Sequence, residues 1–238
     1  MIDPANSQNV EKSGPFALFT AVITDPEKAF KSIKAYPSWL FPIALSLLLG
    51  LVYMMTTQDI QFKMQKEYIL NSELIPEEAK DAQLEKLDNP TFLQKTVIPS
   101  IAVAGGAFVV PAVIALILML FGNFVFGGKA SFKIMFSASA WAGVVSFIEG
   151  IVKLPLILNK ETFEVYSSLA LFMDASQSKT LLFQLLNLVD VFSIWKIIVF
   201  SIAFAVVYQF NYKKSYSTVI ALFLVASFIG IGFTQIFT

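Results

Sequence analysis

Five separate runs of this chain are apolar for about as long as a helix needs to cross a bilayer, roughly 20 residues for about 30 Å of hydrocarbon. They fall at 38–57, 97–121, 134–158, 183 or 188 to 210, and 216–237. Backbone N–H and C=O groups inside a bilayer must be bonded within the protein, and uninterrupted apolar runs meet that demand as helices. The expectation is an all-α fold, a polytopic membrane bundle of five transmembrane helices. Composition agrees: 56% of the residues are hydrophobic and 14% charged, against about 45–50% and 25% in a soluble domain.

The residue types that are missing restrict the chemistry. There is no Cys, no His and no Arg among the 238 residues. Ser–His and Cys–His catalysis are excluded. A structural zinc site, a His-ligated haem and an iron–sulfur cluster are disfavoured. All cations are Lys, so bidentate guanidinium recognition of phosphate is absent. No nucleophile–base spacing occurs, so the reading is of a non-enzyme with no catalytic residue, no metal ligand set and no cofactor. Zero net charge predicts no nucleic-acid partner.

The N-terminal stretch FALFTAVI (16–23) is too short for a cleavable signal and has no small-residue cleavage motif. It reads as a short helix on or dipping into the membrane surface. TDPEKAFKSIKAYP (24–37) reads as an amphipathic helix over 24–36, with a Thr24/Glu27 capping box and Pro26 in the first turn. Ala29, Phe30, Ile33 and Tyr36 share one face, opposite Lys28, Lys31 and Lys34. That pattern suits an interfacial helix on an anionic leaflet; a cap packed on the membrane domain is the alternative. Residues 1–37 are therefore set apart as an N-terminal segment, and 38–238 as the membrane domain.

Between the first two runs lies a polar, helical insert at 58–96 with eight acids and five Lys. The second run contains Pro99, Gly105-Gly106 and Pro111, which predict a kink or break near 105–111. Two tight basic turns join the later runs, GGKASFK (127–133) and NYKKS (211–215). Lys in short loops favours the cytoplasmic side. Five spans put Lys28, Lys31, Lys34, Lys129, Lys133, Lys213 and Lys214 on that side, as a basic surface facing lipid or a partner. The N-terminus is then cytoplasmic, and the C-terminus and the insert are outside.

Charges also lie inside the apolar runs. In FIEGIVKLPL (147–156), Glu149 and Lys153 stand one turn apart, on the same arc as Ser139, Ala142, Gly143, Ser146 and Gly150. Small residues at this spacing mark helix–helix contact in bilayers. The fourth run supplies Asp190 and Lys196, and antiparallel spans would bring Glu149 level with Lys196. A cluster of Glu149, Lys153, Asp190 and Lys196 follows. Lys196 lies about 120° from the Asp190 line, which leaves outward snorkelling as its alternative. Such a cluster serves either as an interhelical clamp or as an ion or solute site.

Three segments, taken in order, resemble the Yip domain family of Ypt/Rab-interacting membrane proteins, in its bacterial branch. They are ITDPEKAFKSIKAYPSWLFP (23–42), FGGKASFKIMFSASAWA (126–142) and LNLVDVFSIWKIIVFSIAFAV (186–206). The resemblance implies a five-span bundle with a cytoplasmic N-terminus, in the bacterial inner membrane. Eukaryotic relatives associate with prenylated GTPases in vesicle traffic. Of the family's Asp-Leu-Tyr-Gly-Pro signature only Gly14-Pro15 is present, and the third run has no Gly-Tyr pair, though Leu154-Pro155 follows. The leading expectation is a non-enzymatic membrane scaffold or adaptor of Yip type, working in membrane organisation or trafficking-like protein interactions. Its partners would be an anionic leaflet, a membrane or cytoplasmic protein, or a second copy of the chain. A small transporter or channel using the buried charges is the alternative.

Overall fold

The structure, a computed structural model, describes residues 11–72 and 74–237. The first ten residues of the N-terminal segment, and Glu73 of the insert, lie outside the described residues. Among those described, five helices are long and apolar enough to span a membrane. The protein is an all-helical integral membrane protein.

Two short helices precede the first span. α1 (Pro15–Thr24) starts with Gly14 as N-cap and Pro15 at its first position. α2 (Pro26–Ala35) is capped by Asp25, whose side chain accepts from the Lys28 N–H at 3.2 Å. The cap is thus Asp25 rather than Thr24. Both residues can cap, and Pro26, best suited to the first helical position, selects the residue before it.

The first span does not stop at Thr57. α3 (Leu40–Asn71) is one helix of 32 residues, about 48 Å long, so its polar half projects beyond the hydrocarbon. No Pro or Gly interrupts the chain between Gly50 and Pro76. α4 (Glu77–Asp88) folds back along that projection. The second span is helical throughout Leu93–Val125. Its α-helical part, α5 (Ile98–Met119), runs through Gly105-Gly106 and Pro111 without a break. Wider π-helical turns lie instead at its two ends, Leu93–Val97 and Leu120–Val125.

The third span is the one that breaks. α6 (Phe132–Ala142) and α7 (Val144–Lys160) meet at Gly143. α8 (Leu181–Asn187) and α9 (Val191–Tyr208) follow, separated by residues 188–190. α10 (Tyr212–Phe237) completes the chain. α9 is the centre of the bundle, touching α2, α6, α7 and α10, whereas α10 leans mainly on α9.

The core is concentrated at the end where the chain enters. Trp141, Phe30, Phe204, Ile33 and Met135 are all fully buried there. The Trp141 indole N–H donates to the Ser38 carbonyl at 2.7 Å, and Phe41 stacks on its ring at 5.6 Å. This joins the start of α3 to α6. Tyr208 fills the space beside the Gly127-Gly128 turn: a Cβ on Gly122 or Gly128 would strike its ring.

Candidate functional site

The charges Glu149, Lys153, Asp190 and Lys196 form one connected chain. Glu149 receives Lys153 Nζ on one carboxylate oxygen at 2.7 Å and Lys196 Nζ on the other at 3.0 Å. Lys153 also approaches Asp190 at 3.8 Å and stands 5.7 Å from the Phe192 ring centre. The order is Lys196, Glu149, Lys153, Asp190, alternating in sign. Lys196 therefore turns inward to α7 rather than snorkelling to the surface. The side chains of Glu149 and Lys153 are 21% and 20% exposed, which places the pair under protein cover at the α7–α9 seam.

Asp190 is held differently from the way its run of apolar neighbours suggested. It is not inside the fourth span but caps it. Its Oδ1 accepts the backbone N–H groups of Phe192 and Ser193, each at 2.9 Å. Those are orphan donors of the first turn of α9, and a carboxylate there also complements the helix dipole. Ser167 donates to its other oxygen, and Ser168 pairs with Asn187 at 2.7 Å. The two serines lie in the connection after α7 and carried no periodic signal. The sequence clue for Asp190 is an Asp directly before a long apolar helix.

Two cavities flank the charges. One of about 280 Å³ lies where α6 breaks from α7 and is lined by Ser139, Gly143, Pro111 and Lys196, among others. Its neighbour, about 460 Å³, lies between α3 and α7 and reaches Tyr53, Glu149 and Lys153. Ser46, Ser146 and Phe147 line both.

The seven lysines of the basic surface lie at the opposite end of the bundle and do not act alike. Lys34 bends inward, and its ammonium donates to the Val206 carbonyl at 3.2 Å in the last turn of α9. Burial pushes its pKa below the ordinary lysine value, while the C-terminal carbonyls of α9 favour the cation. Lys214 lies over Phe126 and Phe210, at 3.9 and 4.2 Å from the ring centres. Lys31 pairs with Glu27 at 2.6 Å, and Tyr212 donates to that same carboxylate at 2.6 Å. The Lys31 ammonium, followed by the Tyr212 hydroxyl, holds the Glu27 carboxyl below its usual pKa. Lys28, Lys129, Lys133 and Lys213 are exposed and make no ion pair among the described residues.

Three of the four residues on the apolar face of α2 are covered by protein, whereas Tyr36, the C-cap, is 45% exposed. Ala29, Phe30 and Ile33 are at most 1% exposed, packed with α6 and α9. Ser32, also buried, donates to the Glu11 carbonyl and accepts from the Ser13 N–H, both at 3.3 Å. α2 is thus a cap at the end of the bundle that shows Lys28 and Lys31 outward and turns Lys34 in. Among the described residues, no group of His, Cys, Asp or Glu is arranged to hold a metal ion.

The family model for the Yip1 domain matches residues 20–234, which takes in both charge groups, the first four spans and nearly all of the fifth. No curated protein and no solved structure matches the chain significantly.

Proposed function

The chain belongs to the Yip1 domain family, and from that premise we propose that it is a non-enzymatic membrane scaffold or adaptor whose working surface is the basic end. The observation that carries this reading is the way four separated parts of the sequence are tied into one platform. Lys34 bonds α9, Tyr212 bonds α2, and Lys214 bridges the rings of Phe126 and Phe210. The bound lysines fix the platform; Lys28, Lys129, Lys133 and Lys213 project from it. An ammonium near an anionic leaflet gains about 1 kcal/mol, so four acting together hold lipid headgroups or an acidic partner surface. In this reading the basic end faces the cytoplasm of a bacterial cell, residues 1–37 belong to it, and the arm at 58–96 lies outside. The Glu149 cluster is then a clamp between α7 and α9.

The test is the anionic lipid retained through detergent purification from phosphatidylglycerol-containing membranes. Replacing Lys28, Lys129, Lys133 and Lys213 together by Gln removes most of it, while Lys66→Gln on the opposite arm leaves it unchanged. Equal retention in the two variants overturns the platform.

A second reading, a small transporter or channel, has one observation in its favour: the cavities that meet the charge chain at Lys196 and at Glu149. It requires a pH-dependent solute or ion flux in proteoliposomes that Glu149→Gln abolishes.

A further inference from the structure

The connection between α7 and α9 has its polarity reversed relative to a loop in water. Residues 167–169 and 189–191 run antiparallel, bridged at Ser168 and Asp190, with Leu169 N–H donating to Val189 O at 3.1 Å. Side chains alternate across such a pairing. The polar pair points in: Ser168 and Asp190 are each 6% exposed. The apolar neighbours point out: Leu169, Val189 and Val191 are 43%, 46% and 65% exposed. The same holds beyond the bridge, where Phe172 is 85% and Leu182 59% exposed. A loop surrounded by water would bury the second set and expose the first.

The depth of this connection explains the reversal. The contacts of Lys153 with Asp190 and of Glu149 with Lys196 fix the levels of α7 and α9. From Lys153 the helix rises another 10 Å or so before ending at Lys160, through LPLIL. On the other flank α10 also overshoots the start of α9. Its Thr234 bonds Gln184 at 3.3 Å and its Gln235 bonds the Lys179 carbonyl at 2.8 Å. α8 therefore stands beside FIGIGF (228–233), the last apolar turns of α10. α9 has 18 residues, about 27 Å, less than the hydrocarbon thickness. The bridge at Asp190 thus lies below the level at which its neighbours leave the apolar layer, and the polar stretch 174–180 lies above it.

We propose that this connection dips into the bilayer, with Leu169, Phe172, Leu182, Val189 and Val191 embedded among lipid acyl chains at the α9–α10 side of the far end. The opposite side of the connection touches protein: Val165 packs on Ile60 and Ile157. That flank carries Gln58, Asp59 and Lys95, with Gln58 donating to the Lys95 carbonyl, and faces water. The dip seals the charge chain from above and completes a fourth crossing that α9 alone leaves short.

The chain has no Cys, so single cysteines report position directly. Phe172→Cys and Leu182→Cys are made in the full chain, labelled with a bimane fluorophore and reconstituted into phosphatidylcholine vesicles. Ile220→Cys, on the exposed face of α10, marks lipid; Asp81→Cys, exposed on α4, marks water. The expected result is that residues 172 and 182 follow 220: acyl-brominated lipid quenches them several-fold and aqueous iodide hardly at all. Quenching by iodide, as at 81, overturns the proposal. So does protection from both quenchers, which would place a second copy of the chain on this face.

Discussion

The far end of the bundle carries more charged residues than the basic end, and the two are built in different ways. At the basic end the amphipathic helix α2 turns its apolar residues into the bundle, and Lys34 and Lys214 are bound to α9 and to aromatic rings. At the far end α3 and α4 form an arm where Lys66 pairs with Asp88 and Lys63 with Glu161 at 2.9 Å across the surface, while Lys80 is buried and donates to the Leu70 carbonyl at 3.1 Å. Between the two lies the Glu149 chain, paired under cover. The comparison teaches that charge here is held in two ways, mainly by bonds to backbone carbonyls and aromatic rings at one end and mainly by carboxylate–ammonium pairs at the other.

The comparison can be broken at three points. The largest effect is expected from Phe30→Ala, which removes a fully buried ring from under α2. Its cost is about 3–5 kcal/mol, as for other core aromatics, read as loss of thermal stability in detergent. No change would mean that α2 is not part of the cooperative unit. Next comes Glu149→Gln. It leaves Lys196 without its carboxylate and Lys153 with only the longer contact to Asp190, at a cost of about 2–4 kcal/mol. Lys153→Met should cost less, because Glu149 keeps Lys196, and the double variant should recover part of the loss from Glu149→Gln. If all three variants melt together with the parent, the charges do not clamp the helices and flux assays become the deciding measurement. The smallest effect belongs to Lys66→Ala in the arm, within about 1 kcal/mol of the parent, as for exposed ion pairs. A large loss there would erase the distinction between the two ends.

Much of this architecture is legible in the residues. The five spans are, and so is the α2 helix with its two faces. The continuity of α3 was legible too, in the absence of any breaker before Pro76, although its polar composition suggested a separate segment. The break at Gly143 was hidden because one glycine among small residues reads equally well as a packing contact. Pro111 carried the opposite error: neighbouring turns of α5 tolerate it, and the irregular turns fall at the helix ends. In the charge group, Glu149 and Lys153 share a face by spacing alone. Asp190 required a different rule, the capping of α9, and its serine partners gave no pattern at all.

Sequence by itself determined that this protein is a five-span membrane bundle whose two tight turns, at 127–133 and 211–215, carry lysine. The reason is local: an apolar helix of sufficient length belongs in hydrocarbon whatever its neighbours are, and a lysine in a short turn stays at the surface. Only the tertiary structure decided which groups meet. That α2 buries its apolar face on protein depends on α9, far along the chain. Whether Lys196 turns to lipid or to Glu149 depends on how α7 lies against α9. Such choices rest on contacts between distant segments, and the period of a single helix does not contain them.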